Sequence, residues 1–169
     1  MERLKLEIPN LAHKQAVMDF QQEFRNAKER ISGGAGLEQA ERYEDWLCRQ
    51  YTPHYGQVDE AVFLAFDSRG TLIGISDIRL GTNAFILTFA GQIGYSVRPS
   101  QRRKGYASQL LRLTLEQAAA HGFRQVLLTC NEPNIASAKV IEKNGGILEK
   151  IIPHPGFPDV RRYHIFLPQ

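Results

Sequence analysis

Cysteine is scarce in this sequence. Its 169 residues include two cysteines, Cys48 and Cys130, which are too far apart to form a CxxC pair. A disulfide framework is therefore not expected, and this cysteine content favours a reducing, cytoplasmic location. Histidine gives no metal signal either, because the spacing of the five histidines is not that of metal ligands, and we expect no metal site. The histidines are His13, His54, His121, His154 and His164.

Long hydrophobic runs are also lacking. No apolar run approaches the roughly 20 residues that a membrane-spanning helix needs. The first four residues lack the apolar core of a secretion signal. We therefore expect a protein that is neither inserted into a membrane nor secreted. Internal repeats and low-complexity tracts are absent. With 43% apolar residues, a chain of this length can bury a core without metals or disulfides, which predicts one domain over residues 1–169.

The net charge is +3, but the charged residues are distributed unevenly along the chain. Residues 1–60 carry eight Lys and Arg against eleven Asp and Glu, whereas residues 98–169 carry eleven against five. Solvation of outer faces explains part of this difference. The cations concentrate at one loop and are not interleaved with aromatic residues, so we do not expect a nucleic-acid-binding protein.

The loop in question lies within residues 97–107, VRPSQRRKGYA. A short predicted strand over 91–97 precedes it, and apolar residues follow at helical spacing as far as His121. Between them come three consecutive cations and then Gly105, whose missing Cβ lets a ligand approach the backbone. A strand, a basic glycine-containing loop and a helix N-terminus together predict an anion site.

Two common phosphate-binding motifs are absent, namely GxxxxGK[ST] and GxGxxG. The run from Arg102 to Ala107 is instead R-x-x-G-x-A, which resembles motif A of the GNAT N-acetyltransferases. Downstream, N-x-x-S at Asn134 to Ser137 and E-K-x-G at Glu142 to Gly145 resemble the second helix of that family. The resemblance covers essentially the whole chain and is strongest over residues 91–148.

The resemblance implies an acyltransferase of class EC 2.3.1.-, with acetyl-CoA as cosubstrate and no metal. The acetyl group would pass to an amine of a small molecule, peptide or protein by direct attack on the thioester. Free backbone groups of residues 95–97 would pair with the pantetheine arm, after a distortion for which Gly94 is a suitable place. The positions that match CoA-binding residues of the family are Tyr95, Val97, Arg102, Arg103, Lys104, Gly105, Tyr106, Ala107, Asn134 and Ser137.

The catalytic acid and base of many family members are not present at their usual positions. Ile141 stands where a tyrosine protonates the leaving thiolate, and Thr129 stands where some members carry a glutamate. We expect Thr129 and Asn131 to order a water that carries the proton. Further candidates without an assigned role are Cys130, Glu132 and Tyr163, and His154 is a candidate substrate contact or base.

Two alternatives stay open at this point. A catalytically inactive GNAT-fold module could hold CoA as a sensor or scaffold. The acceptor is also undetermined, although acidic residues of the first half, such as Glu41, Glu44 and Asp45, favour a cationic one. A homodimer is possible.

The expected fold is α/β (α+β), of the GNAT acyl-CoA N-acyltransferase type. Its central sheet is mixed, mostly antiparallel and twisted, it is flanked by helices, and the order is β-α-α-β-β-β-α-β-α-β-β. The predicted strands cover residues 4–8, 62–66, 71–80, 91–97, 125–130, 147–152 and 161–167, and an apolar run at 85–89 precedes the fourth. The predicted helices cover 11–31, 38–50, 107–121 and 134–144, and residues 51–56 form a loop.

Overall fold

The computed structural model describes residues 2–52 and 57–168. The predicted order of strands and helices is confirmed, while most of the predicted loop at 51–56 lies outside the described residues. The strands are β1 (Lys5–Glu7), β2 (Glu60–Phe66), β3 (Leu72–Arg79), β4 (Ile93–Val97), β5 (Gln125–Asn131), β6 (Ile147–Ile152) and β7 (Val160–Phe166). The α-helices are α1 (Lys14–Ala27), α2 (Tyr43–Tyr51), α3 (Tyr106–Ala120) and α4 (Ile135–Lys143).

The expected central sheet is divided into two antiparallel sheets. The first has the order β1-β2-β3-β4 and the second the order β5-β7-β6. Gln92 joins them at one point: its backbone N–H donates to the Leu127 carbonyl over 2.7 Å, and its side-chain oxygen accepts from the Leu127 N–H over 2.8 Å. Beyond this point β4 and β5 belong to separate sheets, so a gap lies between them.

The helices cover the sheets on both sides because each has one apolar face. Side chains of α1 and α2 pack with β2 and β3, and the aromatic residues buried among them are Phe20, Phe24, Tyr43 and Trp46. Trp46 and Tyr43 are each only 1% exposed. The indole N–H of Trp46 donates to the Gly34 carbonyl over 2.8 Å, which ties the α1–α2 connection to the core. Helix α3 packs mainly against β3 and β4 of the first sheet, and α4 packs against β5 and α3.

The α1–α2 connection lies directly against β4. A Cβ atom on Gly33 would stand 2.3 Å from the Gly94 carbonyl oxygen, so only glycine fits there. Beside it, the Ser32 N–H donates to the Ser96 hydroxyl over 2.8 Å, and that hydroxyl donates to the Ser32 carbonyl over 2.7 Å. Asp77 on β3 accepts from the Gly94 N–H over 3.1 Å, and its burial raises the pKa of its carboxyl group.

Three segments differ from the predicted elements. The predicted helix 11–31 begins with a 3₁₀ turn at Leu11–His13 and ends at Ala27, because Lys28 is left-handed with a φ of 55°. The helix predicted from residue 38 starts at Tyr43, after a 3₁₀ turn and an extended residue, Ala40. The apolar run at 85–89 forms a helical turn, Ile86–Ala90, rather than an extension of β4. Across the described ranges, none of the helices has the length and apolar character that a bilayer crossing requires.

Candidate functional site

A cavity of about 620 Å³ lies between β4, the start of α3 and helix α4. It runs from the loop before α3 to the N-terminus of α4, so it joins the two motifs that the sequence singles out. Nine of the ten predicted binding residues line it: Tyr95, Val97, Arg102, Arg103, Gly105, Tyr106, Ala107, Asn134 and Ser137. The tenth, Lys104, is not among the described lining residues, and its ammonium group donates to the Gln101 side chain over 2.9 Å.

One wall of the cavity is the open edge of β4. The Arg98 N–H donates to the Ile73 carbonyl on β3 over 2.9 Å. In an antiparallel pair, the backbone groups of successive residues point alternately toward and away from the partner strand. Since Arg98 bonds to β3, the backbone groups of Tyr95 and Val97 point away from β3. The Val97 carbonyl accepts from the Arg102 side chain over 3.1 Å, as this orientation requires. The β3–β4 register is continuous over residues 93–97, so the separation of the two sheets does not need the distortion expected at Gly94.

The N-terminus of α3 also lines the cavity, and this helix begins without a capping side chain. Its N-cap is Gly105, which is left-handed with a φ of 80° and has no side chain that could accept from the first-turn N–H groups. The preceding Arg103 is also left-handed, with a φ of 60°. The first-turn N–H groups and the positive end of the helix dipole are therefore available to an anion in the cavity.

The charges around the cavity suit a ligand with several negative groups. Among its described lining residues there are five cationic side chains and a single carboxylate. These residues are Arg30, Arg102, Arg103, Lys139, Lys143 and Glu29. The guanidinium of Arg102 lies 2.6 Å from the Glu29 carboxylate and 5.6 Å from the centre of the Phe24 ring.

Sequence reasoning missed three of these cations. Lys139 and Lys143 lie one turn apart on α4, and this spacing was a readable signal next to the N-x-x-S motif. Arg30 comes from the α1–α2 connection, about 70 residues before the loop it faces, and no local pattern marks it.

The start of α4 brings three polar side chains together. The Asn134 side chain accepts from the Ser137 N–H over 3.1 Å and so caps the helix. The hydroxyl groups of Ser137 and Tyr95 lie 2.9 Å apart. Burial raises the pKa of Tyr95 to about 12. The nearby Cys130 thiol interacts with Ser137, and burial raises its pKa as well.

The two residues predicted to position a catalytic water do not line the cavity. The Thr129 hydroxyl donates to the Phe89 carbonyl over 2.7 Å and ties β5 to the helical turn before β4. Asn131 is the last residue of β5, opposite Val160, and its backbone carbonyl accepts from the Asn134 N–H over 2.9 Å. Both residues stay candidates by sequence position alone.

The remaining candidates have protein partners of their own. Tyr163 donates to the Glu142 carboxylate over 2.9 Å, and Glu132 pairs with Arg161 at 3.0 Å. His154 stacks between two phenylalanine rings, with centroid distances of 4.0 Å to Phe89 and 4.5 Å to Phe157. His54 lies outside the described residues. No group of three His, Cys, Asp or Glu side chains within the described ranges is arranged to hold a metal ion.

A second cavity of about 380 Å³ lies on the other side of the α1–α2 connection. Ala35 and Gly36 of this connection line it, whereas Arg30 and Ser32 line the first cavity. Its acidic residues are Asp59 and Glu60.

Glu41, Glu44 and Asp45 were expected from the sequence to favour a cationic acceptor. None of them lines either cavity. Glu44 pairs with Lys14 at 2.5 Å, and Asp45 pairs with Arg42 at 3.9 Å. Glu41 is exposed. The structure therefore does not support the use of these residues in acceptor binding.

A family model described as an acetyltransferase (GNAT) domain matches residues 3–147. A search of curated proteins gave no match. Among solved structures, a ribosomal alpha-N-protein acetyltransferase in complex with coenzyme A is 19% identical, with a TM-score of 0.74 over 98% of this chain and 94% of that chain. An acetyl transferase from Salmonella typhimurium that modifies the N-terminal serine of a 50S ribosomal subunit protein is 20% identical, with a TM-score of 0.72 over 98% and 96%. The spermidine N-acetyltransferase of Vibrio cholerae, in complex with CoA and spermine, is 18% identical, with a TM-score of 0.66 over 97% and 95%. At these identities the structural likeness shows a shared fold.

Proposed function

The chain belongs to the GNAT acetyltransferase family, and from this premise we propose that it transfers the acetyl group of acetyl-CoA to an amine. The observation that supports this most is the cavity between β4, the start of α3 and α4. One end of this cavity holds the uncapped N-terminus of α3. The other end holds the edge of β4, where backbone groups point away from β3. A diphosphate fits the first end, and an amide-containing arm fits the second.

The diphosphate binds to the first-turn N–H groups of α3, where Gly105 leaves room for close approach. Arg103 and the two lysines of α4 add positive charge around it. The pantetheine arm then lies along β4, where the backbone of Tyr95 and the N–H of Val97 offer hydrogen bonds in the manner of an added strand. This arrangement brings the thioester to the part of β4 that faces Ser137.

In the reaction, the amine nitrogen attacks the thioester carbonyl carbon. The C–N bond forms, the C–S bond breaks, the nitrogen loses one proton and the sulfur gains one. A backbone N–H on the open edge of β4 stabilises the negative charge that develops on the carbonyl oxygen. The protein supplies orientation for most of the acceleration, because the thioester is already activated.

The acceptor reaches the thioester from the side of the α1–α2 connection and the helical turn at Ile86–Ala90. Family relatives act on spermidine and on the N-terminal serine of a ribosomal protein, so both chemistries belong in the first acceptor panel. A cationic acceptor stays a prediction, and Asp59, which lines the second cavity together with Glu60 and Arg49, is the candidate carboxylate for it in place of Glu41, Glu44 and Asp45.

A sensor or scaffold that binds CoA without turnover is the second candidate. Ile141 has no exposed surface and no ionisable group, and Thr129 already donates its hydroxyl to a backbone carbonyl. These two observations leave the usual acid and base positions without a functional group.

Thiol release separates the two candidates. The protein is incubated with acetyl-CoA and a panel of spermidine, spermine and a peptide with an N-terminal serine, and free CoA is followed with a thiol-reactive dye. Turnover with any amine supports the enzyme. CoA binding by calorimetry without turnover on a broad amine panel supports the sensor, and absence of CoA binding contradicts both. The cytoplasmic location and a homodimer also stay predictions, and light scattering tests the latter.

A further inference from the structure

Two hydroxyl groups meet in the cavity and share a single hydrogen bond. Tyr95 extends from β4 and Ser137 from the first turn of α4, and their oxygens are 2.9 Å apart. Each group carries one hydrogen, and only one of the two hydrogens can lie between the oxygens. The other hydrogen is therefore left to donate to a third atom.

The position of this pair matters because of what lies next to it on α4. Ser137 and Ile141 are four residues apart and so lie on one face of the helix. Ile141 is completely buried in the core and presents no hydrogen-bond donor. Tyr95 reaches α4 from the neighbouring strand β4. Its phenol contacts the helix at Ser137, one turn before Ile141, the position where a donor on α4 itself would stand.

Resting on the proposed function, we propose that Tyr95 is the group that donates its hydroxyl hydrogen to the departing sulfur of CoA. The pantetheine arm follows the edge of β4 on which the backbone of Tyr95 itself is exposed, so the sulfur and the phenol belong to the same stretch of the cavity. Ser137 is the positioning residue that holds the phenol and passes a hydrogen to it.

The step balances in atoms and charge. The C–S bond breaks as the sulfur takes the hydrogen of the Tyr95 hydroxyl. The Tyr95 oxygen regains a hydrogen from Ser137, and Ser137 takes the proton that leaves the amine nitrogen, directly or through water. Both side chains end the reaction as they began it, and no oxidant, reductant or further reactant is needed.

The protonation state of Tyr95 suits this role. Its pKa of about 12 keeps the hydroxyl protonated at every working pH, because burial disfavours the phenolate. A free thiol has a pKa of roughly 8.5, so Tyr95 does not give up its proton to a resting thiolate. The phenol stabilises the developing thiolate by hydrogen bonding, and the proton moves along the pair only as the C–S bond breaks.

The charged and titratable groups around the pair do not replace it. Cys130 on β5 interacts with both members of the pair, and burial raises the pKa of its thiol, so it is protonated and a weak donor. Beyond the thiol, Glu142 and Arg161 of opposite charge influence Cys130. The other charges of the cavity are its described cations and Glu29, which lie toward the diphosphate end or along α4.

The test measures the thiol pKa of bound CoA and needs no acceptor. The ultraviolet absorbance of the thiolate is followed against pH in the CoA complex, and the same titration with desulfo-CoA subtracts the protein's own cysteines. We expect the bound thiol to titrate at least about one unit lower in the wild type than in Tyr95→Phe, because the phenol stabilises the thiolate. Tyr43→Phe is the matched control, since Tyr43 is also buried with a pKa of about 12 and donates to the Asn10 carbonyl far from the cavity.

Each outcome decides between named alternatives. If CoA does not bind the wild type by calorimetry, the proposed function fails. If CoA binds and Tyr95→Phe leaves the thiol pKa unchanged, the inference about Tyr95 is wrong while the proposed function stands. If Ser137→Ala changes the thiol pKa of bound CoA and Tyr95→Phe does not, Ser137 is the donor. That result also overturns the inference about Tyr95. Should Tyr95→Phe fail to fold, fluorotyrosine at position 95 keeps the ring and strengthens the donor, so the thiol pKa must fall further than in the wild type.

Discussion

Gly105 offers a sharp test of the anion site, because two separate effects of an added methyl group can be measured apart. Its backbone is left-handed, and a residue with a Cβ costs roughly 1–2 kcal/mol in that conformation. The same methyl group also occupies space in the cavity where the diphosphate approaches the backbone. Gly105→Ala should therefore lower both the free energy of unfolding and the affinity for CoA.

Gly122→Ala isolates the conformational effect. Gly122 lies just beyond the other end of α3, with a φ of 88°, and a Cβ there would have no atom within 4 Å. We expect both variants to lose about 1–2 kcal/mol of stability in urea unfolding. Only Gly105→Ala should lose CoA affinity in calorimetry, by at least tenfold, or about 1.4 kcal/mol. Equal CoA affinity in the two variants would refute the placement of the diphosphate at α3.

Three further predictions concern charge and packing. Glu29→Gln removes the carboxylate that pairs with Arg102, so CoA should bind several-fold more tightly in calorimetry, and weaker binding would show that Glu29 positions the arginine. Ile141→Tyr places a larger, polar side chain in a fully buried site and should cost about 1–3 kcal/mol in urea unfolding; unchanged stability would mean that the core has room we do not see. Burial works to raise the pKa of Glu23, but hydrogen bonds from the Ser100 N–H and the Arg98 side chain outweigh it and hold that pKa below its usual value. Glu23 therefore stabilises the fold above its unfolded pKa of about 4.5, and this contribution is lost as the pH falls through the folded pKa. Acid should destabilise Glu23→Gln less than the wild type in urea titrations, and parallel losses would contradict this.

The parts of the site that are local in sequence could be predicted. The run from Arg102 to Ala107 carries its own signals, because the cations, the glycine and the following apolar periodicity lie within a few residues. Asn134 and Ser137 were also recognisable, and the Asn134 side chain serves as the helix cap that its position indicates. The order of strands and helices followed from periodicity and turn residues for the same reason.

The parts that depend on distant segments could not be predicted. Gly33 is needed because β4 passes directly beneath it, and nothing near Gly33 shows that. Arg30 and Glu29 reach the cavity only because the α1–α2 connection folds over β4. Thr129 was chosen from its place in β5, but its hydroxyl instead bonds to the helical turn at Ile86–Ala90, a turn that the apolar pattern did not reveal.

The division of the sheet between β4 and β5 could not be read from periodicity, and only the family resemblance implied free backbone groups at residues 95–97. Periodicity predicts strands but gives no pairing partner, and both strands are apolar enough to belong to one continuous sheet. A single residue, Gln92, makes the joining hydrogen bonds with Leu127. Beyond this residue β4 is an edge strand, and its open edge lines the cavity, so this wall of the site depends on how distant strands pair.

A crystal structure with acetyl-CoA tests the central claim most directly. We expect the diphosphate at hydrogen-bond distance from the backbone N–H groups of Tyr106 and Ala107, and the pantetheine arm along β4 with its thioester beside Tyr95. Binding of acetyl-CoA elsewhere on the protein, or with its diphosphate away from the N-terminus of α3, would contradict it.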